Sequence, residues 1–330
     1  MNTATDMTDA AEPAASPDFY SQLSPRAKET LDALASKVQA KRFAPGAHEL
    51  GIPGFVLTVR TENNSAGCGF YEPSVGFILA GSKTSVIGEQ IFEYDRGAMV
   101  ITGMQVPSLF CAVSATAEHP FASISLILDA GILAELLAEL AALEKSPAIP
   151  DKDPICFEVP PADEAVLEDF ARLWNAVQDS VSAKLLAPLI VREIHLKLLL
   201  SSAGGMLMRT FTQGTQTNRI GRAVEWLRQN YEKPFSCEAL ADMVHMAPST
   251  FHRHFKAVTK VSPLQYQKRL RLAAAQRLMM AEGLDAATAA YRVGYRSPAQ
   301  FSRDYGKLYD ESPKRHIKRL KSTRNTTYGI

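Results

Sequence analysis

Arg253 and Arg303 carry the sharpest chemical signal in this 330-residue chain. A guanidinium presents its donors in a fixed fork, the geometry that meets O6 and N7 of a guanine in the major groove. The surroundings of the two arginines are related. Phe251-His252-Arg253-His254-Phe255 and Phe301-Ser302-Arg303-Asp304-Tyr305 align at an offset of 50 residues, which also carries Val258 onto Leu308. Val244 meets Val293 at an offset of 49, so the second copy holds one more residue in its turn. Beside the arginines stand small, polar or basic residues: Ser249, His252 and Lys256 in the first copy, Ala299, Gln300, Ser302 and Lys307 in the second. Residue types of this kind, written twice, suit contact with a nucleic-acid duplex at two places.

Positioning these side chains requires short helices. Phe251, Phe255 and Val258, and likewise Phe301, Tyr305 and Leu308, fall at i, i+4 and i+7, a stripe narrow enough to dock a helix while leaving its other faces free. Ser236 and Asp285 are suitable N-caps for the helix before each of these, and Pro248 and Pro298 suit the first helical position. The economical reading is a duplicated helix-turn-helix. Pro263 to about Ala281 reads as one helix between the copies. At 1.5 Å per residue it spans about 27 Å, of the order of the ~34 Å between successive major grooves. A helix over about Arg219–Asn230, with Ile220, Val224 and Leu227 inward, opens this region.

Charge agrees with that division. Net charge is +1, yet residues 219–330 hold 21 Lys and Arg against 9 Asp and Glu, whereas residues 1–218 hold 15 against 26. A basic C-terminal third on an acidic body is the footprint of a nucleic-acid-binding module joined to something else. Lys314, Arg315, Lys318, Arg319 and Lys321 extend it as a run that either attracts phosphates or solubilises a tail. Cys68, Cys111, Cys156 and Cys237 show no zinc spacing and are expected as reduced thiols. The acidic N-terminus has no signal-peptide pattern, and the apolar segment Leu185 to Met208 is broken by Arg192, Glu193, His195 and Lys197, so a buried or oligomeric helix fits it better than a membrane span. A cytoplasmic location follows as the expectation.

The first two-thirds changes character repeatedly. Residues 1–17 offer almost nothing to bury and are expected to be disordered. A helix is expected from Pro25 to about Arg42. Seven β-rich runs follow (Phe55–Arg60, Val75–Leu79, Thr84–Ile87, Gln90–Tyr94, Met99–Thr102, Leu109–Val113, Ala122–Leu128), the pattern of a small antiparallel barrel or sandwich. Helix returns over Asp129 to Leu143. A Pro-rich loop (Pro147, Pro150, Pro154, Pro160, Pro161) leads to helices over about 163–182 and 185–203. Val166, Phe170, Leu173 and Val177, with Leu167 and Trp174 beside them, form a stripe for core packing or a dimer seam. Gly204-Gly205 and the polar stretch Thr210 to Thr217 read as a linker.

At this point the residues resemble the AraC/XylS family of bacterial transcription regulators. The resemblance rests on Ala241-x-x-Val244-x-Met246, Phe251-x-Arg253-x-Phe255-Lys256, Ser262-Pro263-x-x-Tyr266, Arg269-Leu270-Arg271-Leu272-x-x-Ala275, Val293-Gly294-Tyr295-x-Ser297, Phe301-Ser302-Arg303 and Ser312-Pro313. It covers roughly residues 219–320. Tyr71-Glu72-Pro73-Ser74-Val75, Gly81-Ser82-Lys83, Gly88-x-x-x-Phe92-x-Tyr94 and Leu126-Ile127-Leu128-Asp129 resemble the cupin-like sensor of one subgroup. The implied fold class is α+β: a small cupin-like β-barrel with flanking helices, joined to an all-α domain containing two helix-turn-helix motifs. The implied division is a tail at 1–17, a sensor and helical dimerisation domain at 18–208, a linker at 209–218, the DNA-binding domain at 219–320 and a tail at 321–330. Implied partners are promoter DNA, RNA polymerase, a small-molecule effector and a second copy of the chain. Base contacts would come from Ser249, His252 and Arg253, and from Ala299, Gln300, Ser302 and Arg303. Lys256 and Lys307 complete the DNA-facing set. The chain departs from the family at His245, where Gly is usual and positive φ is expected. It departs again at Ala247 for the usual Ser cap, a change worth ~1 kcal/mol, and at Lys260 for a common Gly.

No nucleophile–base–acid set, phosphate-cradling loop or metal cluster is visible, so neither an enzyme nor a cofactor is expected. Glu72 and Tyr94 are the residues that could line an effector pocket in the barrel. Two other readings stand beside this one: a regulator that answers to no ligand, and a cupin-type metalloenzyme with a basic appendage. The latter needs ligands beyond the isolated His48 and His119.

Overall fold

The computed structural model describes residues 18–62, 67–88, 90–113, 115–146 and 156–326. The N-terminal tail, Pro147, Pro150 and Pro154 of the Pro-rich loop, the side chains of Cys68 and Cys111, and residues 327–330 lie outside the described residues.

Helix α1 (Pro25–Ala40) starts where the Ser24 hydroxyl accepts the Ala27 N–H, with Pro25 in the first turn. Its buried side chains Ala27, Leu31, Leu34 and Val38 form one stripe. Two antiparallel sheets follow. The six-stranded one is ordered β1 (Gly46–Glu49), β2 (Phe55–Arg60), β9 (Phe121–Ile127), β4 (Ser74–Ala80), β7 (Met99–Thr102) and β10 (Phe157–Glu158). The four-stranded one is ordered β3 (Gly67–Tyr71), β8 (Val106–Val113), β5 (Ser82–Ile87) and β6 (Gln90–Asp95). Strand β2 alternates strictly, burying Phe55, Leu57 and Val59, whereas central β4 is buried at Val75 through Leu79. Each sequence-expected strand lies on an observed one. Strands β1, β3 and β10 were absent from the sequence reading because Gly46-Ala47-His48-Glu49 and Gly67-Cys68-Gly69 carry Gly and polar residues rather than β-branched ones, and β10 is two residues long.

Helix α2 (Ala130–Ala142) is capped by Asp129, whose carboxylate accepts the Gly131 and Ile132 N–H groups. The helix expected at 163–182 is two: α3 (Glu164–Ala176) ends at Val177, and α4 (Ser180–Leu185) restarts on the Asp179 cap. An Asp side chain that accepts the Ser182 N–H competes with helix continuation, which explains the break. Helix α5 (Ala187–Leu200) packs on α3, and Phe170 meets Phe55 and Phe77 edge-on at 5.9 and 4.9 Å. The Val166/Phe170/Leu173 stripe therefore fills the core of this chain. Between α3 and α5 the buried Asp169 is held by Arg172 at 2.7 Å and Lys197 at 2.6 Å, so its charge is paired as burial demands.

Gly204-Gly205 opens helix α6 (Gly204–Phe211) instead of a linker, and α7 (Gln216–Gln229) starts on the Thr215 cap. The polar stretch expected to join the domains is thus reduced to 212–215. Helices α8 (Cys237–Met243), α9 (Pro248–Thr259), α10 (Pro263–Ala281), α11 (Ala286–Arg292), α12 (Pro298–Tyr309) and α13 (Pro313–Thr326) complete the chain. The last runs past residue 320, where a tail was expected. Buried apolar side chains form one continuous core from Phe19 to Leu270 and a second from Leu272 to Ile317. The first helix-turn-helix therefore shares its interior with the N-terminal half, the second has its own, and α10 spans both. Among the described residues no helix is long and apolar enough to cross a membrane.

Candidate nucleic-acid interface

The duplication is visible bond by bond. In the first unit the Met246 N–H donates to Ala241 O at 3.0 Å and the His245 N–H to Asp242 O at 3.0 Å. In the second the Tyr295 N–H donates to Ala290 O at 2.9 Å and the Gly294 N–H to Tyr291 O at 3.0 Å, the same pairs shifted by 49. These bonds close a helix end through one residue in the left-handed region, here His245 at φ +54° and Gly294 at φ +87°. The positive φ expected at His245 is present. Only the second position demands glycine: a Cβ there would fall 2.0 Å from the Glu232 carbonyl oxygen.

The equivalence continues into α9 and α12. Phe251 and Phe255 pack with centroids 5.5 Å apart at 56°, and Phe301 and Tyr305 at 5.4 Å and 54°. Each helix then ends on a left-handed residue, Lys260 (φ +62°) and Asp310 (φ +54°), before a Ser-Pro that starts the next helix. Tyr266 and His316, at the same offset of 50, are both buried beneath these rings, 5.7 Å from Phe255 and 5.8 Å from Tyr305. One detail differs from the sequence reading. Leu308 is only partly buried, and Tyr309 takes the inward place, stacked at 4.4 Å on Tyr305.

With those faces docked, Ser249, His252, Arg253 and Lys256 of α9 stand exposed, as do Ala299, Gln300, Ser302, Arg303 and Lys307 of α12. Arg303 donates to the Gln300 side chain at 2.8 Å, which holds both at one place on the surface. His254 turns partly inward, and burial together with the neighbouring Arg253 charge lowers its pKa. In α13, Lys314, Arg315 and Lys318 are exposed, but Arg319 is paired with Glu311 at 3.1 Å. Helix α10 has 19 residues, about 28 Å at 1.5 Å each, and starts with a capping box between Ser262 and Gln265.

Residues that orient α12 escaped the sequence reading. Asp304 is buried and accepts from Lys268 of α10 at 3.2 Å and from the Tyr295 hydroxyl at 3.4 Å, so it bolts the helix to its turn and to α10. Gln267 and Arg271 of α10 donate to the carbonyls of Tyr231 and Lys233 in the segment after α7. The available signal was a carboxylate three residues after Phe301, on the docking side of an otherwise basic helix.

The N-terminal half separates the two residues expected to share an effector pocket. Tyr94 is buried, its hydroxyl in a cluster with Tyr71 at 2.7 Å and Ser85 at 2.6 Å, beside a cavity of about 150 Å³. Glu72 instead lines a cleft of about 290 Å³ between the two halves, where it accepts from Gln105 at 2.6 Å near Arg228 and Arg277. Tyr71 ends β3 and Glu72 lies just past it, and their side chains lead to different spaces. His48 is hydrogen-bonded to the Ala44 carbonyl at 2.7 Å, and among the described residues no three His, Cys, Asp or Glu converge as a metal site.

Comparison with known proteins follows this division. Residues 51–206 match the family described as AraC-type transcriptional regulator N-terminus, and residues 240–319 match a helix-turn-helix domain family. The transcriptional activator RhaS of Pectobacterium carotovorum subsp. carotovorum (strain PC1) is 28% identical over 106 residues, 32% of this chain and 38% of RhaS. The regulator AlkR of Acinetobacter baylyi is 34% identical over 85 residues, 26% of this chain and 28% of AlkR. The chain thus spans well under half the length of these curated relatives. An apo variant of ToxT from Vibrio cholerae strain SCE256 superposes with a TM-score of 0.56 at 10% identity, covering 82% of this chain and 98% of ToxT, and so shares the fold. Unsaturated fatty acid-bound wild-type ToxT gives 0.55, again at 10% identity, over 82% of this chain and 97% of ToxT. With an AraC-type N-terminus followed by a helix-turn-helix region, the chain belongs to the AraC family of transcriptional regulators.

Proposed function

We propose that this protein binds promoter DNA through α9 and α12 and that a small molecule in its N-terminal half modulates the binding. The observation that carries the reading is the pair of equivalent reading helices, each docked by an aromatic pair and each leaving an arginine exposed. Ser249, His252, Arg253, Lys256, Ala299, Gln300, Ser302, Arg303 and Lys307 are the proposed contacts, with base readout assigned first to the two arginines. The proposed functional division keeps sensor and dimerisation helices before residue 208 and DNA binding from residue 219. RNA polymerase is a partner by family kinship. An effector finds support in ToxT, a protein of this fold crystallised with an unsaturated fatty acid. It would act by binding one arrangement of the two halves more tightly than the other.

Self-association is assigned to α4 and α5. Val181, Leu185 and Leu189 follow one another at i, i+4 and i+8, and Leu185 and Leu189 are 70% and 65% exposed. Exposed apolar side chains on the end of α4 and the start of α5 support an interaction surface there. A protection footprint over the region upstream of the chain's own gene tests the central proposal. Protection in two successive major grooves is expected, and failure to protect any discrete site would refute it.

A further inference from the structure

A cavity of about 1050 Å³ lies between α1, the ends of β2 and β4, and the loop from Thr116 to Pro120. It is separate from the Tyr94 cluster and from the Glu72 cleft, and its size is that of a small-molecule site. Val38, Phe43, Val59, Leu79 and Ala122 give it an apolar wall. Arg96, on the turn between β6 and β7, supplies a preorganised cation. Its Nη2 donates to Asp32 at 2.6 Å, and its guanidinium lies 4.8 Å over the Tyr20 ring. Tyr20 in turn donates to both Asp32 oxygens at 3.0 and 2.9 Å. With the group so fixed, Arg96 Nε is buried and has no hydrogen-bond partner among the described residues.

The Arg96 side chain as a whole is 39% exposed and lines the cavity, so its fixed charge is within reach of a ligand acceptor there. The charges around the cavity favour an anionic acceptor. Asp32 is committed to Arg96 and Tyr20, and Glu118 is turned into its own loop, where its backbone N–H and the Thr116 hydroxyl hold it ionised. Arg42, also on the wall, has no carboxylate partner among the described residues. It sits at φ +48° just past the C-cap of α1, a left-handed conformation that a non-glycine residue adopts at a cost and that recurs at ligand clamps.

We propose that this cavity binds an apolar monocarboxylate, the carboxylate on the exposed part of the Arg96 guanidinium and on Arg42, and the hydrocarbon body against Val59, Leu79 and Phe43. The proposal deepens the effector reading above and rests on it for its regulatory meaning, though not for binding itself.

Trp174 is a built-in reporter, since its ring packs edge-on 6.3 Å from Phe43. The full-length Trp226→Phe protein is titrated with sodium octanoate and sodium benzoate, with 1-octanol and benzyl alcohol as uncharged counterparts. Saturable change in Trp174 emission with at least one carboxylate is expected, with the matching alcohol about tenfold or more weaker. Arg96→Gln and Arg42→Gln should each weaken binding by a similar factor. Ala35→Phe, which projects bulk into the cavity, removes no charge and adds no second indole, should weaken binding strongly even if Arg96→Gln proves unstable. Absence of saturation with both carboxylates, equal binding of the alcohols, or unchanged binding in Ala35→Phe overturns the site. The same preparations are tested on the footprinted DNA. Retained DNA binding without carboxylate binding sinks this site alone, whereas lost DNA binding sinks the regulator reading.

Discussion

The Tyr266 hydroxyl reaches Gln105 twice, donating to its backbone carbonyl at 3.1 Å and lying 3.0 Å from its side-chain oxygen. Tyr266 belongs to α10 and Gln105 to the segment before β8, and Gln105 passes the link on to Glu72. Burial and the Glu72 charge raise the phenol pKa well above its ordinary value, so Tyr266 remains a donor throughout the physiological range. Tyr266→Phe should cost about 1–2 kcal/mol in urea unfolding, because Gln105 is left with unmet acceptors. It should also change DNA affinity or its response to effector, measured by gel shift. A variant as stable as wild type, with unaltered DNA binding, would remove this contact from the coupling.

Arg253→Ala and Arg303→Ala should each relax preference at one base position, costing about 1–3 kcal/mol on the preferred sequence and little on others. Lys318→Ala should weaken all sequences alike and reduce the slope of log K against log salt by about one. Binding measured on a library of single-position variants separates the two outcomes. Uniform loss in all three proteins would mean that α9 and α12 do not read bases.

The turn residues should respond in opposite senses. Gly294→Ala combines φ +87° with a clash against Glu232 and should destabilise the second unit by several kcal/mol. His245→Gly relieves a left-handed strain of about 1 kcal/mol and should be neutral to stabilising after the loss of backbone entropy is counted. Ala247→Ser should add roughly 1 kcal/mol by supplying the cap that α9 lacks. Chemical denaturation of the three variants gives the ranking.

How far the sequence alone reached depends on what each residue's role rests on. Helices α9 and α12 and their docked faces were legible because their evidence is local: an i, i+4, i+7 stripe, a proline at the first position and a repeat offset. Positive φ at His245 followed from the family resemblance, in which glycine is usual at that position. The Asp304 bolt, the Tyr266 link and the separation of Glu72 from Tyr94 were not legible, since each depends on partners dozens of residues away or on strand register. Tyr71 and Glu72 are neighbours in sequence, yet Tyr71 is the last residue of β3, paired opposite Val106 of β8, while Glu72 lies past the strand and meets Gln105. The stripe of α3 looked wide enough for a dimer because its partners, Phe55 and Phe77, come from strands far upstream.

Leu189→Asp, alone or with Leu185→Asp, should convert a dimer to monomer in sedimentation without altering the circular dichroism, because both side chains are already exposed. A wild-type protein that sediments as a monomer at tens of micromolar would refute the assignment.

Acidification should destabilise the fold through its buried histidines. Burial lowers the pKa of His195 and His316 below the unfolded value of about 6.5. The unfolded chain then binds more protons as pH drops through that value, so stability falls on going from about pH 7.5 to 5.5. His195 must stay neutral to accept the Asp129 N–H at Nε2 (2.8 Å) while its Nδ1 serves the Val191 carbonyl (2.7 Å). His195→Gln should therefore lose less of its melting temperature over that range than wild type does, as followed by differential scanning calorimetry.

The two reading units are copies in their bonds but not in their reinforcement. The second has glycine where the chain turns left-handed and a serine hydroxyl at the head of its helix, while the first makes do with His245 and Ala247. In the proposed complex an operator would be met by one firm hand and one yielding one. Tolerance of sequence drift should concentrate in the half-site under α9, and the half-site under α12 should set the register of the whole complex.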